Sequence, residues 1–105
     1  MNPVLVLTTV AADFNVRPLA HDLIERRLVA CSNIVDAVQS IYAWEGRVTE
    51  DREQMLIMKT IAERVPELRE ALFAQHPYEV PEFVVVPIES ISDGYRAWLL
   101  DAVKG

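Results

Sequence analysis

The chain has 105 residues, of which 51% are hydrophobic and 25% charged, a composition typical of a single packed domain spanning residues 1–105. Its 16 acidic and 10 basic residues give a net charge of -6, which would repel a phosphate backbone and argues against nucleic-acid binding. No apolar stretch approaches the ~20 residues that cross a bilayer, and no signal-peptide pattern is present, so we expect a cytoplasmic protein without membrane partners.

The first two predicted elements are a buried strand and an amphipathic helix. Residues Val4 to Thr9 form an apolar, β-branched run, which favours a strand buried on both faces. The apolar residues that follow recur at helical spacing, at Val16, Leu19, Leu23, Ile24 and Leu28. Asn15 is the predicted N-cap of this helix, and Pro18 falls in the first turn, where its missing N–H is tolerated.

A β-hairpin is predicted next. Residues Cys31 to Val35 and Val38 to Trp44 have strand propensity but are interrupted at Asp36-Ala37, which predicts either one kinked strand or two short strands. Glu45-Gly46 offers a turn, and the apolar run Met55 to Met58 marks the returning strand. The turn is expected within residues 45–50, and the sequence leaves the register open.

The last part of the chain predicts a helix, a strand and a short helix. Pro66 begins the first of these helices, and His76-Pro77 ends it because proline biases the preceding residue away from helical geometry. Residues Glu82 to Ile88 are predicted to form another buried strand. Ser92 is the predicted cap of the C-terminal helix, on which Trp98 is expected to be a core residue.

This element order predicts an α+β fold. The order β, α, β, β, α, β with an extra C-terminal helix is that of the ferredoxin-like βαββαβ arrangement, in which two helices cover one face of a four-stranded antiparallel sheet. The strands carry apolar residues on both faces, so the second face needs a cover of its own. We therefore expect the protein to self-associate through the sheet.

Several sequence blocks resemble a known family. They are Leu28 to Ile34, Ser40 to Gly46, Lys59-Thr60, His76 to Glu82 and Tyr95 to Leu99. In this order and at about this spacing they resemble the CutA family of divalent cation tolerance proteins, over nearly the whole chain. The resemblance implies a homotrimer with strands joined edge to edge between subunits, an architecture similar to PII signalling proteins, and a role in tolerance of divalent cations, especially copper. It implies no established reaction.

Four residues are candidate metal ligands. His76 and Glu79 lie three apart beside a proline, and Glu82 follows, so an imidazole and two carboxylates are candidates to bind copper or another divalent cation. Cys31, the only cysteine, would suit a soft metal as a thiolate. The alternatives are structural: His76 bonds a carbonyl at the helix end, the two glutamates are solvated or salt-bridged, and Cys31 packs as a small hydrophobic residue.

Four other residues are candidates for binding a small molecule. Lys59 follows an apolar run, where its ammonium group suits either an anionic metabolite or an ion pair. Tyr42, Trp44 and Tyr78 are aromatic residues with polar groups, which suit either a subunit interface or a ligand cleft between subunits. The sequence shows no nucleophile held beside a base and no phosphate-binding glycine loop, so we predict a binding protein and not an enzyme.

Overall fold

The computed structural model describes residues 1–105 as four strands, three α-helices and one 3-10 turn. The strands are β1 (Pro3–Ala11), β2 (Cys31–Trp44), β3 (Arg47–Ile61) and β4 (Val84–Pro87). The helices are α1 (Arg17–Glu25), α2 (Val65–Gln75) and α3 (Asp93–Ala102), and the turn Ala62–Arg64 leads into α2. The strands form one antiparallel sheet in the order β2-β3-β1-β4. The predicted ferredoxin-like fold with an extra C-terminal helix is confirmed.

The main core lies between one face of the sheet and the helices α1 and α2. Alternate residues of β1 and β3 point toward these helices, which is the period of two expected of strands. The buried apolar side chains on this inner face and on the helices include Val4, Val6, Val10, Leu56, Met58, Leu19, Leu23, Leu68 and Leu72. Because α1 and α2 cover only this face, the opposite, outer face depends on other parts of the molecule for its cover.

The β2–β3 hairpin has a two-residue turn and one bulge. Glu45 and Gly46 connect the strands with φ of 49° and 75°, the two positive values that fit the right-handed twist of the flanking strands. In β2 the register shifts between Val35 and Val38, and Ala37 has a φ of 58°. The interruption at Asp36-Ala37 is therefore a bulge within one long strand.

The bulge changes which residues of β2 face outward. Before it, Cys31 lies opposite Lys59, and after it Val38 lies opposite Glu53, so odd-numbered residues share the outer face first and even-numbered residues afterwards. Tyr42 and Trp44 consequently lie on the same face of the sheet as Cys31. Without the extra residue, the two aromatic side chains would point to the opposite side.

The hairpin extends beyond the rest of the sheet as a two-stranded arm, residues 39–52. Strand β1 pairs with β3 only from Glu53 to Ile61, so each strand of the arm has a single partner. Ile41 and Val48 on one face of the arm are 65% and 81% exposed, and Trp44 on the other is 49% exposed. Two-stranded ribbons are marginally stable alone, so this arm gains from any surface that covers it.

The end of the outer face is covered by α3. Leu99 and Val103 of this helix pack with Ala30 and Ile61 in a second, smaller core. Trp98 is 47% exposed, so the prediction that it is a core residue is wrong: the small core needs only one side of a short helix. None of the helices combines the length and the apolar character required to cross a membrane.

Two local predictions also need correction. Val16, and not Asn15, is the N-cap residue of α1, and because its side chain is apolar it cannot accept a capping hydrogen bond. Strand β4 is shorter than the predicted Glu82 to Ile88 and is exposed, because it lies at the sheet edge with β1 as its only partner. Ser92 is the N-cap residue of α3, as predicted, although its side chain makes no capping hydrogen bond.

We expect Leu56→Ala to destabilise the protein by about 2–5 kcal/mol, because Leu56 is fully buried and its removal leaves a cavity at the centre of the core. Ile24→Ala is the matched control, since Ile24 is 43% exposed on α1 and should cost less than about 1 kcal/mol. Urea denaturation at one protein concentration measures both. Equal losses in the two variants would contradict this description of the core.

Candidate binding cleft

An open cleft of about 800 Å³ lies on the outer face, between the arm, the end of β1 and the segment that follows α2. The arm contributes polar and aromatic side chains, and residues 77–82 form the facing wall. Its lining includes Thr9, Ala11, Ser40, Tyr42, Trp44, Asp51, Arg52, Glu53, Tyr78, Glu79 and Glu82. Four carboxylates and three large aromatic side chains therefore border one cavity.

The strand register brings Tyr42 and Asp51 together. Asp51 lies opposite Ser40, and Tyr42 lies two residues further along β2 on the same face. The Tyr42 hydroxyl donates a hydrogen bond to the Asp51 carboxylate. This bond is the largest cause of the raised pKa of Tyr42, with smaller contributions from burial and the charge of Glu53. Tyr42 is therefore neutral and donates a hydrogen bond, which fixes its side chain against Asp51 on the arm.

The Tyr78 hydroxyl donates a hydrogen bond of 2.7 Å to Oε2 of Glu53 on the floor of the cleft. Glu53 lies opposite Ala11 on β1 and Val38 on β2, and only 6% of its surface is exposed. Burial, followed by the bond to Glu53, raises the pKa of Tyr78 well above 10.0. The phenol thus stays protonated and serves as the donor to a buried carboxylate.

Glu53 has no basic partner. The two ion pairs of the chain, Arg26–Asp22 and Arg64–Glu67, both lie on the helices and the turn before α2. Arg52 is the one basic residue that lines the cleft, and strand alternation directs its side chain to the opposite face from Glu53. A carboxylate buried without a countercharge is costly, so the cleft favours a cation.

His76 positions the wall of the cleft. Its Nε2–H donates to the Thr9 carbonyl oxygen at 2.9 Å and lies 3.2 Å from the Thr8 hydroxyl, while its Nδ1 accepts from the backbone N–H of Tyr78 at 3.1 Å. Both ring nitrogens are thus used within the chain. Burial lowers the pKa of His76, although the Thr9 carbonyl and the Glu53 charge partly oppose this effect. The neutral imidazole therefore joins the end of α2 to β1 and orients Tyr78.

The predicted candidates divide between two places. Tyr42, Trp44, Tyr78, Glu79 and Glu82 all line the cleft, and His76 lies immediately behind it. Cys31 and Lys59 lie opposite each other near the far end of the sheet. Eight residues separate Asp51 from Lys59 along β3, or about 27 Å at the usual rise of a strand.

At this far end, Lys59 is engaged within the chain. Its Nζ donates to Oδ1 of Asn33 at 2.8 Å and lies 6.0 Å from the centre of the Tyr95 ring. The Cys31 thiol is 3.5 Å from the same Asn33 oxygen. The cysteine and the imidazole of His76 thus do not meet within one chain. No group of three or more His, Cys, Asp or Glu side chains is arranged to hold a metal ion.

Asp51 and Glu53 line the cleft but are not among the site residues predicted from the sequence. Both lie in the stretch between the turn and the apolar run, and a loop interpretation of this stretch hides its alternation. As strand residues two apart, they share a face with each other and with Tyr42 and Trp44 across the hairpin. The short turn at Glu45-Gly46 was the available signal, because it implies pairing that starts at Arg47.

The fold and the cleft define a small α+β protein of ferredoxin-like topology with an acidic, aromatic binding cleft. A family model described as "CutA1 divalent ion tolerance protein" matches residues 4–102. The chain belongs to this family.

Individual relatives agree with this assignment. The divalent-cation tolerance protein CutA of Thermus thermophilus is 45% identical over 95 residues, which are 90% of this chain and 92% of that protein. The chloroplastic CutA of Arabidopsis thaliana is 40% identical over 84% of this chain, which spans only 48% of that longer protein. The crystal structure of CutA1 from Oryza sativa has a TM-score of 0.93 at 36% identity, covering 99% of this chain and 95% of that one.

We expect the stability of the protein to fall as the pH drops below about 6.5, through the titration of His76. Because its folded-state pKa lies below the ordinary 6.5, the unfolded chain binds the proton first. The contribution of the neutral His76 to stability is fully present above about pH 6.5 and is lost as the pH falls through its lowered folded-state pKa. Protonation would also turn Nδ1 into a donor facing the Tyr78 N–H.

Urea denaturation between pH 8 and pH 5 measures this effect as a difference between variants. His76→Gln should lose this part of the pH dependence, so its stability relative to the wild type improves on acidification. His21→Gln, which alters an exposed histidine on α1, should keep the wild-type profile. Parallel profiles for the wild type and His76→Gln would contradict the role assigned to the buried imidazole.

Proposed function

We propose that this protein is a homotrimeric binding module that takes part in the response to metal ions by holding a divalent cation in the acidic cleft. The single observation that carries the proposal is the Glu53 carboxylate, which is buried on the cleft floor with Tyr78 as a donor but without a basic partner. A cation in the cleft would offset the cost of burying this charge. The family name points in the same direction.

The cleft offers oxygen ligands only. Asp51 and Glu53 approach from the sheet, and Glu79 and Glu82 lie on the facing wall. Carboxylate oxygens suit hard cations such as Mg²⁺ or Mn²⁺, and Mg²⁺ binds through one or two carboxylates while keeping several waters. A partly hydrated cation therefore fits a cleft in which three ligands do not converge.

Copper fits the chain less well than a hard cation. Copper favours imidazole and sulfur ligands, but both nitrogens of His76 are hydrogen-bonded and Cys31 lies near the other end of the sheet. A copper site built on these residues would require the ring of His76 to give up its bond to Tyr78 or Thr9. We therefore assign the cleft to a hard divalent cation.

The trimeric state is supported by the surfaces that one chain leaves open. Strand β4 is an edge strand with a free side, and its Val84 and Val86 are 45% and 38% exposed. The arm exposes Ile41 and Val48 still further. Free edges and apolar patches of this kind are usually paired or covered, and other copies of the chain supply a matching edge.

The alternative function is a PII-like sensor for a small anionic metabolite. It depends on Lys59, which donates to Asn33 and lies six residues from Glu53 along β3, about 20 Å by the strand rise. The carboxylates of the cleft would repel an anion, so such a ligand would need a separate site around Lys59. The metal-ion proposal accounts for more of the predicted residues in one place.

Native mass spectrometry of protein purified without chelator or affinity tag tests assembly and metal binding together. We expect a mass of three times 11.9 kDa and uptake of Mn²⁺ in whole-number steps. Glu53→Gln should weaken Mn²⁺ binding by roughly tenfold or more, since even outer-shell partners of a metal contribute that much. Glu89→Gln is the matched control, an exposed glutamate outside the cleft lining.

A mass of 11.9 kDa at micromolar concentration would overturn the trimer. Equal Mn²⁺ binding by the wild type and Glu53→Gln would overturn the assignment of the cation to the cleft. Tighter binding of Cu²⁺ that His76→Gln abolishes would favour the imidazole over the carboxylates and contradict the hard-cation assignment.

A further inference from the structure

We infer that the wall of the cleft, residues 77–82, is held in place by the neutral imidazole of His76 and is released when this ring is protonated. The wall contains no helix or strand and connects the end of α2 with β4. Two of the four cleft carboxylates, Glu79 and Glu82, lie on it. The inference adds a means of regulation to the cleft of the proposed function, but the movement itself needs no bound cation.

The wall has few attachments within the chain. No backbone–backbone hydrogen bond involves residues 77–82. Their two side-chain hydrogen bonds both belong to Tyr78, whose N–H donates to Nδ1 of His76 at 3.1 Å and whose hydroxyl donates to Glu53 at 2.7 Å. Beyond the wall, the ring of Phe83 packs against Phe73 of α2 with centres 5.7 Å apart. The wall is therefore anchored at its two ends and hydrogen-bonded between them through one residue.

Protonation of His76 removes the first of these hydrogen bonds. Because Nε2–H already donates to the Thr9 carbonyl oxygen, the added proton must bind to Nδ1. This nitrogen then becomes a donor that faces the donor N–H of Tyr78, so the Tyr78 peptide has to turn away. The hydroxyl of the same residue holds the second bond, to Glu53, and the turn strains that bond as well. Both attachments of the wall therefore respond to one proton.

The groups around the imidazole allow it to titrate within the folded protein. Strand β1 contributes only a hydroxyl and a carbonyl oxygen, and from β3 the charge of Glu53 favours the imidazolium against the effect of burial. On α1, Asp22 bonds the residue before His76 and pairs with an arginine of its own helix. The last charged residue of α2, Glu70, is exposed more than one turn earlier. On the wall, the phenol of Tyr78 stays neutral because its pKa is raised.

Release of the wall changes the composition of the cleft. Glu79 and Glu82 move with the wall, whereas Asp51 and Glu53 stay on the sheet. The cleft therefore loses half of its carboxylates on acidification, and a ligand held from both sides is released. Proton binding and ligand binding act on the same wall in opposite directions, so each weakens the other.

Amide hydrogen exchange of Tyr78, resolved by NMR on the metal-free full-length protein between pH 8 and pH 5, tests the inference. The protection factor corrects for the intrinsic pH dependence of exchange. We expect it to fall by roughly three- to tenfold as His76 is protonated, the fold-change that corresponds to one lost hydrogen bond. Low urea concentrations should accelerate exchange of the core amide of Leu56 but leave Tyr78 unchanged, because opening of the wall alone exposes little surface.

His76→Gln is the main variant, since its side chain keeps an acceptor for the Tyr78 N–H but cannot bind a proton in this pH range. We expect its Tyr78 protection factor to stay nearly constant from pH 8 to pH 5. His21→Gln, which alters an exposed histidine on α1, is the matched control and should keep the wild-type response. If His76→Gln does not fold, the wild type still decides, because the ring resonances of His76 and the exchange of Tyr78 must share one midpoint.

A Tyr78 protection factor that does not change with pH overturns the inference, as do equal pH responses in the wild type and His76→Gln. Different midpoints for the His76 ring and the Tyr78 amide also overturn it. Equal urea dependence at Tyr78 and Leu56 does so too, since acid would then act through global unfolding. The proposed function is tested separately: its failure would appear in the Mn²⁺ titration of Glu53→Gln and would leave the pH response of the wall unchanged.

Discussion

The register of the β2–β3 hairpin is the constraint on which the rest of the site depends. The positive φ angles at Glu45 and Gly46 fix the turn, and the bulge at Ala37 then moves the even-numbered residues of β2 to the outer face. Only in this register do Tyr42 and Asp51 share a side. Ala37 and Glu45 are not glycine but have positive φ angles, which costs a modest backbone strain. The hydrogen bonds of the long β2–β3 pairing offset this strain.

The wall opposite the hairpin depends on a second, independent constraint. Pro77 ends α2 at the point where the buried ring of His76 bonds the Thr9 carbonyl, so the chain leaves the helix layer beside β1. The same ring accepts the Tyr78 N–H and directs that residue to the outer face. A side chain whose spacing suggests a metal ligand thus uses both ring nitrogens in hydrogen bonds within the chain, and in the proposed function the metal ligands are the carboxylates that it helps to cover.

Regular patterns made most of the fold predictable. Helical spacing in α1, the His76-Pro77 stop and the apolar run of β3 gave the order of elements. The sequence placed Glu79 and Glu82 in one candidate site and Tyr42, Trp44 and Tyr78 in another, whereas all five line the same cleft. The failures at the candidate site share one cause, which is that the relations between its residues depend on long-range pairing. The position of Cys31 relative to His76 follows from strand length, and the partner of Glu53 is 25 residues away in the chain. No local pattern contains either relation.

The position of β1 in the sheet has a consequence for how the protein is made. The first strand of the chain lies inside the sheet, between residues 53–61 of β3 and the four residues of β4. Its second edge therefore stays unpaired until the residues near 84–87 have left the ribosome, when most of the chain has been synthesised. The hairpin, whose strands are adjacent in sequence, can form much earlier. A nascent chain thus presents an apolar first strand during most of its synthesis, and a binder of exposed strands would act in that interval.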